Sequence, residues 1–467
     1  MPQGLLIRLR PLGPWRFGPG DGAHDRVDTL YRSDRLYSAV TLAMRQLGHL
    51  EEWLDATARA EKPAVVFTSL FPFQAETLFA TPPANLWPPP YSLLTAPSPV
   101  FLTKIRWRAA RFVPLSVLEL LLTGQNILAD QWAPDAESGC LLRRDRPSSS
   151  PFRVVQRSWA AVDRLTGRSE QAGRVACAEF EMGSGLWAGV RFSDEAAGSG
   201  WIERVQAAFR LLADSGFGAR RSSGWGQSAP PEFQQGVWPQ VLMPKLKPEK
   251  NGDGSSRLYW LLSLYSPAAG DRVDWNGGFY EVIVRGGRVE SPGSSGAAKK
   301  QAKLIAEGSV LAASSELAGT AVDVAPEGFA HPVYRSGLAL AIPLPRIEIK
   351  VDPKLEVVIE APPEILLEEA SASSSFDNAE VAVREEESVN LLASEPEPPI
   401  HEPEIIPEPE PIEPPSPAEP PVVEPPDEPP STEPPAQDPE PPPAEPIPQA
   451  GGDPLPDAAG EEGSFDI

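Results

Sequence analysis

Eleven consecutive residues, Gly216-Phe217-Gly218-Ala219-Arg220-Arg221-Ser222-Ser223-Gly224-Trp225-Gly226, concentrate groups suited to holding an anion. Four glycines permit positive φ and close backbone approach, so that successive amides can face a phosphate. Arg220 and Arg221 supply guanidiniums that pair with phosphates, Ser222 and Ser223 supply hydroxyls, and Trp225 offers a face on which a base can stack. The segment is not a dinucleotide fingerprint, because Arg221 stands where the third glycine belongs, and it has no Gly-Lys-Ser/Thr of a P-loop. A flexible turn with incidental charges is the plainer reading of the same composition.

A second basic run, Lys104, Arg106, Arg108 and Arg111, alternates with Ile105, Trp107 and Phe112. If extended, it puts cations on one side and apolar bulk on the other, as in a nucleic-acid groove or a charge-protected edge strand. Arg143, Arg144, Arg146, Arg153 and Arg157 continue the basic character, and Asp163-Arg164 reads as a surface ion pair or a turn. Catalytic signals are sparse. His24, His49 and His331 have no sequence-local partner for a triad or a metal site, and no carboxylate cluster is spaced for Mg²⁺. His24, in a loop before the first helix, is the one candidate for metal-independent RNA cleavage. No cofactor and no metal are expected.

The elements that must carry these groups follow from periodicity. Gly4 to Arg10 reads as a strand. Leu36, Val40, Met44 and Leu47 recur at helical spacing after Ser33, the expected N-cap, with Asp34 at the positive end of the helix dipole and Gly48 as the stop. Pro114 to Leu122 and Ile202 to Asp214 read as helices. Val65 to Phe71, Ala176 to Met182 and Leu186 to Phe192 read as strands. This order fits a βαββαβ, ferredoxin-like unit over residues 1–244 with a long insertion at about 81–174. After a polar stretch, Leu258 to Tyr265, Phe279 to Val284 and Ser336 to Pro343 as strands, with Ala297 to Ala306 as a helix, predict a second such unit over 257–350. The fold class expected is therefore α+β, two tandem ferredoxin-like domains.

Composition divides the chain. Residues 351–467 hold 31 of the 65 acidic residues, 29 of the 57 prolines, 2 of the 41 Lys+Arg and no Trp or Tyr. Such a segment buries too little apolar surface to offset its ordering entropy, so a disordered acidic Pro-rich tail is expected there. The remaining 350 residues carry 39 basic and 34 acidic side chains, so the net charge of -24 says little about the part that folds. Arg8 and Arg10 interrupt the early apolar run, no stretch approaches the roughly 20 apolar residues of a spanning helix, and Cys140 and Cys177 form no zinc or disulfide pattern. A cytoplasmic protein with no membrane contact is expected.

In order, these landmarks resemble the RAMP superfamily of CRISPR-associated proteins, and within it the subunit-four family of type III-A Csm effector complexes. Ser33-Asp34-Arg35-Leu36-Tyr37-Ser38-Ala39-Val40 resembles the family's first-helix motif. Phe71-Pro72-Phe73, Phe112-Val113-Pro114-Leu115 and Val162-Asp163-Arg164-Leu165-Thr166-Gly167 follow in the family's order, and 216–226 resembles its glycine-rich loop, with Ala219-Arg220 in place of a Gly-Asp type pair. Val289-Glu290-Ser291-Pro292-Gly293, Glu307-Gly308-Ser309 and His331-Pro332-Val333-Tyr334-Arg335-Ser336-Gly337 resemble its C-terminal signatures. The acidic tail has no counterpart in that pattern.

The resemblance implies two RRM-like domains and a non-catalytic role in a ribonucleoprotein. Its partners would be the 5′ handle of the CRISPR RNA (crRNA), the large polymerase/cyclase-like subunit and a backbone RAMP subunit, and handle binding would help to separate self from non-self. Gly216, Gly218, Arg220, Arg221, Ser222, Ser223, Gly224, Trp225, Gly226, Lys104, Arg106, Arg157, Arg164, Ser33, Arg35, His331 and Arg335 are the expected RNA contacts. Two other readings stand beside it: a Cas6-like endoribonuclease using His24, and an envelope-spanning protein suggested by the Glu/Pro-rich tail.

Overall fold

The computed structural model describes residues 2–18, 23–95, 100–145, 149–246, 256–291 and 294–345. The expected tail, and Pro292-Gly293 of one motif, lie outside them.

The first strand, Gln3–Leu9, is central because Leu5, Leu6, Ile7 and Leu9 are all buried, leaving it no solvent face. It pairs antiparallel with Ser184–Phe192 on one side and Glu232–Val237 on the other. The far edge of Ser184–Phe192 takes Val65–Phe67 and Phe71–Gln74. Two helices, Ser33–Gln46 and Trp201–Ser215, bury Leu36, Val40 and Met44, and Val205, Phe209 and Leu212. The sheet runs in the order Glu232–Val237, Gln3–Leu9, Ser184–Phe192, Phe71–Gln74, and Ala176 to Met182, expected as one of its strands, belongs instead to the strand Ser169–Phe180 outside it. Gly48 (φ +81°) and Gly216 (φ +89°) follow the two helices in the left-handed region, as the stop signals predict.

Within the insertion, Phe152–Val162 and Ser169–Phe180 form a long antiparallel hairpin, with Leu165 at its tip 98% exposed. Asp163-Arg164 belongs to that tip as a turn: Asp163 accepts from the Leu165 N–H at 2.9 Å and from the Thr166 hydroxyl at 2.7 Å. Lys104 and Arg106 lie on a helix, Val100–Trp107, and not on the extended run expected of them. The reason is Trp107, which is buried and stacked on Trp87 at 5.4 Å between ring centres. Both cysteines are free and buried.

The second half differs from the expectation. Arg257–Leu261, Val273–Phe279, Val310–Ala313 and Ala341–Pro343 build a four-stranded antiparallel sheet, and the described residues of 256–345 form no helix. Ala297 to Ala306, expected as a helix, is instead parts of two strands, Ser294–Ala298 and Ala302–Ile305. The second of these is held by antiparallel pairing with Val282–Arg285, which overrides the helical propensity of its Ala and Lys residues.

The two halves share one apolar core, since Trp260, Leu262, Leu338, Leu340 and Ile342 cluster with the first sheet and its helices. Polar bonds cross the same seam. The Leu264 N–H donates to the Ser33 hydroxyl at 2.9 Å, the Ser69 N–H donates to the Leu262 carbonyl at 2.9 Å, and the Trp260 indole donates to the Thr81 carbonyl at 3.1 Å. Ser33 is therefore a bolt between the halves and not a cap; the residue at the cap position, Arg32, makes no side-chain capping bond.

Candidate nucleic-acid interface

Three of the four glycines in 216–226 are demanded by packing. A Cβ would lie 2.6 Å from the Trp225 carbonyl at Gly216, 2.4 Å from the Arg16 carbonyl at Gly218 and 2.0 Å from the Phe217 carbonyl at Gly226, and all three have positive φ. Phe217 is buried and stacks on Trp15 at 5.1 Å, so the loop closes on its own residues and on the Trp15–Phe17 segment. Its amides are largely spent inside. The N–H groups of Phe217, Ala219, Ser223, Gly224, Trp225 and Gly226 donate to backbone carbonyls, which replaces the expected nest of amides facing an anion. What the loop offers outward is side chains.

Arg220, itself at φ +61°, places its guanidinium 4.8 Å from the ring centre of Trp159 on the long hairpin and 5.9 Å from that of Trp225. Such cation–π contacts contribute roughly 0.5–1 kcal/mol at exposed sites. Trp159 can lie there because its cross-strand partner is Gly173, where a Cβ would sit 2.9 Å from the indole nitrogen. Ser222, Ser223 and Gly224 form the exposed turn beyond.

A cleft of about 470 Å³ opens beside the loop. Gly216, Gly218 and Arg221 line it from the loop, Arg35, Ser38 and Leu42 from the first helix, and Arg16, His24 and Tyr31 from the segment between. The second half closes it with Gly286, Gly287, Arg288, Lys299 and Arg335. Asp34 is the one acidic residue in this lining, and it is consumed. Arg285 donates to its two oxygens at 3.1 Å each, and Arg335 pairs with it as well. Burial alone would raise the Asp34 carboxyl, but the two guanidiniums outweigh it and hold the group below the ordinary aspartate range. Burial and the neighbouring Arg285 charge lower Arg35 from its ordinary value. Arg16 spends its guanidinium on the carbonyls of Ala23 and Ala176, both at 2.6 Å, so it shapes the cleft wall. Burial pushes the Tyr31 hydroxyl up to about 12, keeping it neutral at physiological pH.

Of the residues expected to touch RNA, Gly216, Gly218, Arg221, Arg35 and Arg335 come together in this cleft, with Arg220, Trp225, Gly226 and the serines adjoining. Arg335 is turned inward onto Asp34 and the Gly286 carbonyl. Lys104 sits 4.1 Å from the ring centre of Tyr91, Arg157 pairs with Glu179 at 2.6 Å, and His331 bonds the adjacent Pro332 carbonyl. None of these three, nor Arg106, Arg164 or Ser33, lines the cleft. Missed in the sequence were Arg16, Tyr31, Arg288 and Lys299. The signal for the third was present as Arg285-Gly286-Gly287-Arg288, a glycine pair between arginines.

The second half decides the kinship. Residues 255–344 match the family described as the CRISPR Csm4 C-terminal domain. Over that stretch the chain resembles a Csm4 C-terminal domain. Solved structures similar to this chain include a Csm1-Csm4 cassette in complex with pppApA, at 17% identity and TM-score 0.43, covering 74% of this chain and 100% of that one. A Csm3-Csm4 subcomplex of the type III-A CRISPR-Cas interference complex matches at 15% identity and TM-score 0.46, covering 73% and 99%. A type III-B Cmr-beta complex bound to cognate target RNA and AMPPnP matches at 12% identity and TM-score 0.34, covering 66% and 86%. No curated protein matches the chain. Among the described residues, no helix is long and apolar enough to cross a membrane and no group of His, Cys, Asp or Glu is arranged to hold a metal ion.

Proposed function

We propose that this chain is the non-catalytic RNA-binding subunit of a type III-A CRISPR (Csm) effector complex, gripping the 5′ handle of the crRNA. In antiviral defence it would join the large Cas10-type subunit to the backbone subunits and contribute to self/non-self discrimination. One observation carries the reading: a cleft lined by Arg16, Arg35, Arg221, Arg288, Lys299 and Arg335, whose single carboxylate is already neutralised, in a chain with a Csm4 C-terminal domain. The Arg220 guanidinium beside Trp159 and Trp225 suits a splayed single strand, which is read through phosphates and stacked bases. The assembly role rests on the match to the Csm4 C-terminal domain.

The test is handle-RNA binding over a salt series. Arg220→Ala with Arg221→Ala should weaken binding and flatten the dependence of log K on log salt by about one to two, one for each phosphate no longer held. Unchanged affinity and slope in that variant would refute the loop's role, and equal affinity for unrelated RNA would refute handle recognition.

His24 lines the same cleft, so cleavage of repeat RNA by a Cas6-like mechanism is the second reading. Incubation with repeat RNA in EDTA separates the two: cleavage lost in His24→Ala would support the enzyme.

A further inference from the structure

Far from the cleft, one edge of the second half is apolar where it meets solvent. Among the described residues, Val273–Phe279 pairs on one side only, with Val310–Ala313, and Val282–Arg285 on one side only, with Ala302–Ile305. The two strands follow one another along the chain, so they present one continuous open edge. On it Trp275, Phe279, Tyr280, Val282 and Val284 are exposed, and Trp275 meets Tyr280 edge to face at 5.3 Å. Glu281 is the only charged residue between Phe279 and Arg285, so charge does little to protect this edge. Open apolar edge strands template pairing with another strand, and folded proteins cover them.

The chain holds a segment of matching character. Leu355, Val357 and Ile359 alternate with Glu356, Val358 and Glu360, and Pro353 and Pro362-Pro363 bound the run. Alternating apolar residues, rich in Val and Ile and fenced by prolines, are the pattern of a short strand with one apolar face. The run lies outside the described residues, which end at Pro345, just after Ala341–Pro343. That strand is the opposite edge of the same four-stranded sheet as Val273–Phe279. The register sets Pro343 beside Tyr259, and Ala313 beside both Arg257 and Val273, so the chain leaves the sheet level with the start of Val273–Phe279. From there Val282 is about 14 Å across three strand spacings and about 20 Å along, or roughly 25 Å directly. The intervening residues 346–354 extend to about 30 Å. The tether therefore reaches with little slack, and the run begins where the apolar edge lies.

We propose that residues 355–359 add as a strand, within the same chain, to the open edge at Val282–Arg285, with Leu355, Val357 and Ile359 on the face that carries Val282 and Val284. Backbone hydrogen bonds hold such an added strand, and its alternate side chains select the face. The covered edge is closed to pairing with other chains. This inference is independent of RNA binding.

The experiment uses the full chain. Val284→Cys is combined in turn with Leu355→Cys, Val357→Cys or Ile359→Cys, and, as controls, with Val358→Cys on the other face or Ser371→Cys beyond the run; Cys140 and Cys177 are buried and stay out of the exchange. Under mild oxidation at least one of the first three pairs should close an intramolecular disulfide at least tenfold faster than either control. In a second measurement, amide hydrogen exchange at Val282–Arg285 should accelerate at least tenfold in Val357→Pro, which removes a donor from the added strand and leaves the described body untouched, and equally in a chain ending at Lys350. Disulfides that close no faster than the controls, or exchange unaltered by Val357→Pro, overturn the proposal. So does a disulfide formed between two chains, which gives the edge to a second copy.

Discussion

Removing the Asp34 carboxylate should destabilise the folded chain far more than removing any charge on its surface. The Asp34 side chain is fully buried, and its partners Arg285 and Arg335 are 7% and 8% exposed. In Asp34→Ala both guanidiniums stay buried without a counter-charge, with Arg35 close by. Breaking a buried pair from one side costs about 3–5 kcal/mol. Unfolding entropy near 60 °C is about 2.1 cal/mol/K per residue, so a folded body of roughly 340 residues shifts by about 1.4 °C per kcal/mol. The expected fall in Tm is therefore about 4–7 °C by differential scanning calorimetry. Because the pair spans the seam between the halves, the transition should also broaden or split. A triple variant with Met at 34, 285 and 335 should recover most of the loss, since apolar replacement of a buried ion pair is near neutral or better. An Asp34→Ala chain melting within about 1 °C of wild type would refute the reasoning. So would a triple variant no more stable than the single one.

The same carboxylate fixes a pH dependence. Its folded pKa lies below the ordinary 3.8, so its stabilisation is complete above that value and is lost as pH falls through the lower folded value. The stability gap between wild type and Asp34→Asn should be constant from pH 7 to about 5 and shrink below about 4 in denaturant titrations. In the glycine loop, Gly226→Ala meets the Phe217 carbonyl at 2.0 Å and should cost about 2–5 kcal/mol, whereas Gly224→Ala, with φ +76° but open space, should cost about 1–2 kcal/mol by chemical unfolding. Cys140 is buried with its thiol pushed up to about 12, and Cys177 is buried and raised in the same direction. Neither should react with a thiol reagent such as DTNB in the native chain, and both should react in denaturant.

The first half was legible because its signals are local. Leu5, Ile7 and Leu9 announce a buried strand, and the helices carry apolar periods ended by Gly48 and Gly216. The glycine loop announces itself by composition, yet the reason for its glycines is close packing, and composition cannot distinguish that from an open amide nest. Ala297 to Ala306 misled because the deciding interaction is a ladder with Val282–Arg285, which local propensity does not register. Lys104 to Arg108 misled because alternating charge and bulk suit a strand and a helix alike until Trp107 finds Trp87. Of the cleft, the sequence offered Arg35, Gly216, Gly218, Arg221 and Arg335 as separate candidates, but not the pairing that neutralises its carboxylate, since Asp34 and Arg285 stand 251 positions apart.

Ser33, Asp34 and Arg35 show why a motif does not by itself name ligands. Successive helical residues point about 100° apart, so three neighbours face three environments. Ser33 accepts from Leu264 in the second half, Asp34 neutralises Arg285 and Arg335, and Arg35 turns to the cleft. The first two build the wall that the third needs. Asp34 is the one acidic residue in the lining, and its pairing with Arg285 and Arg335 leaves the Arg35 guanidinium with Asp28, at 4.0 Å, as its acidic neighbour. The positive balance of the cleft lining therefore depends on this one carboxylate being neutralised by two guanidiniums. It does not follow from the chain's net charge of -24, whose sign is opposite to that of the cleft.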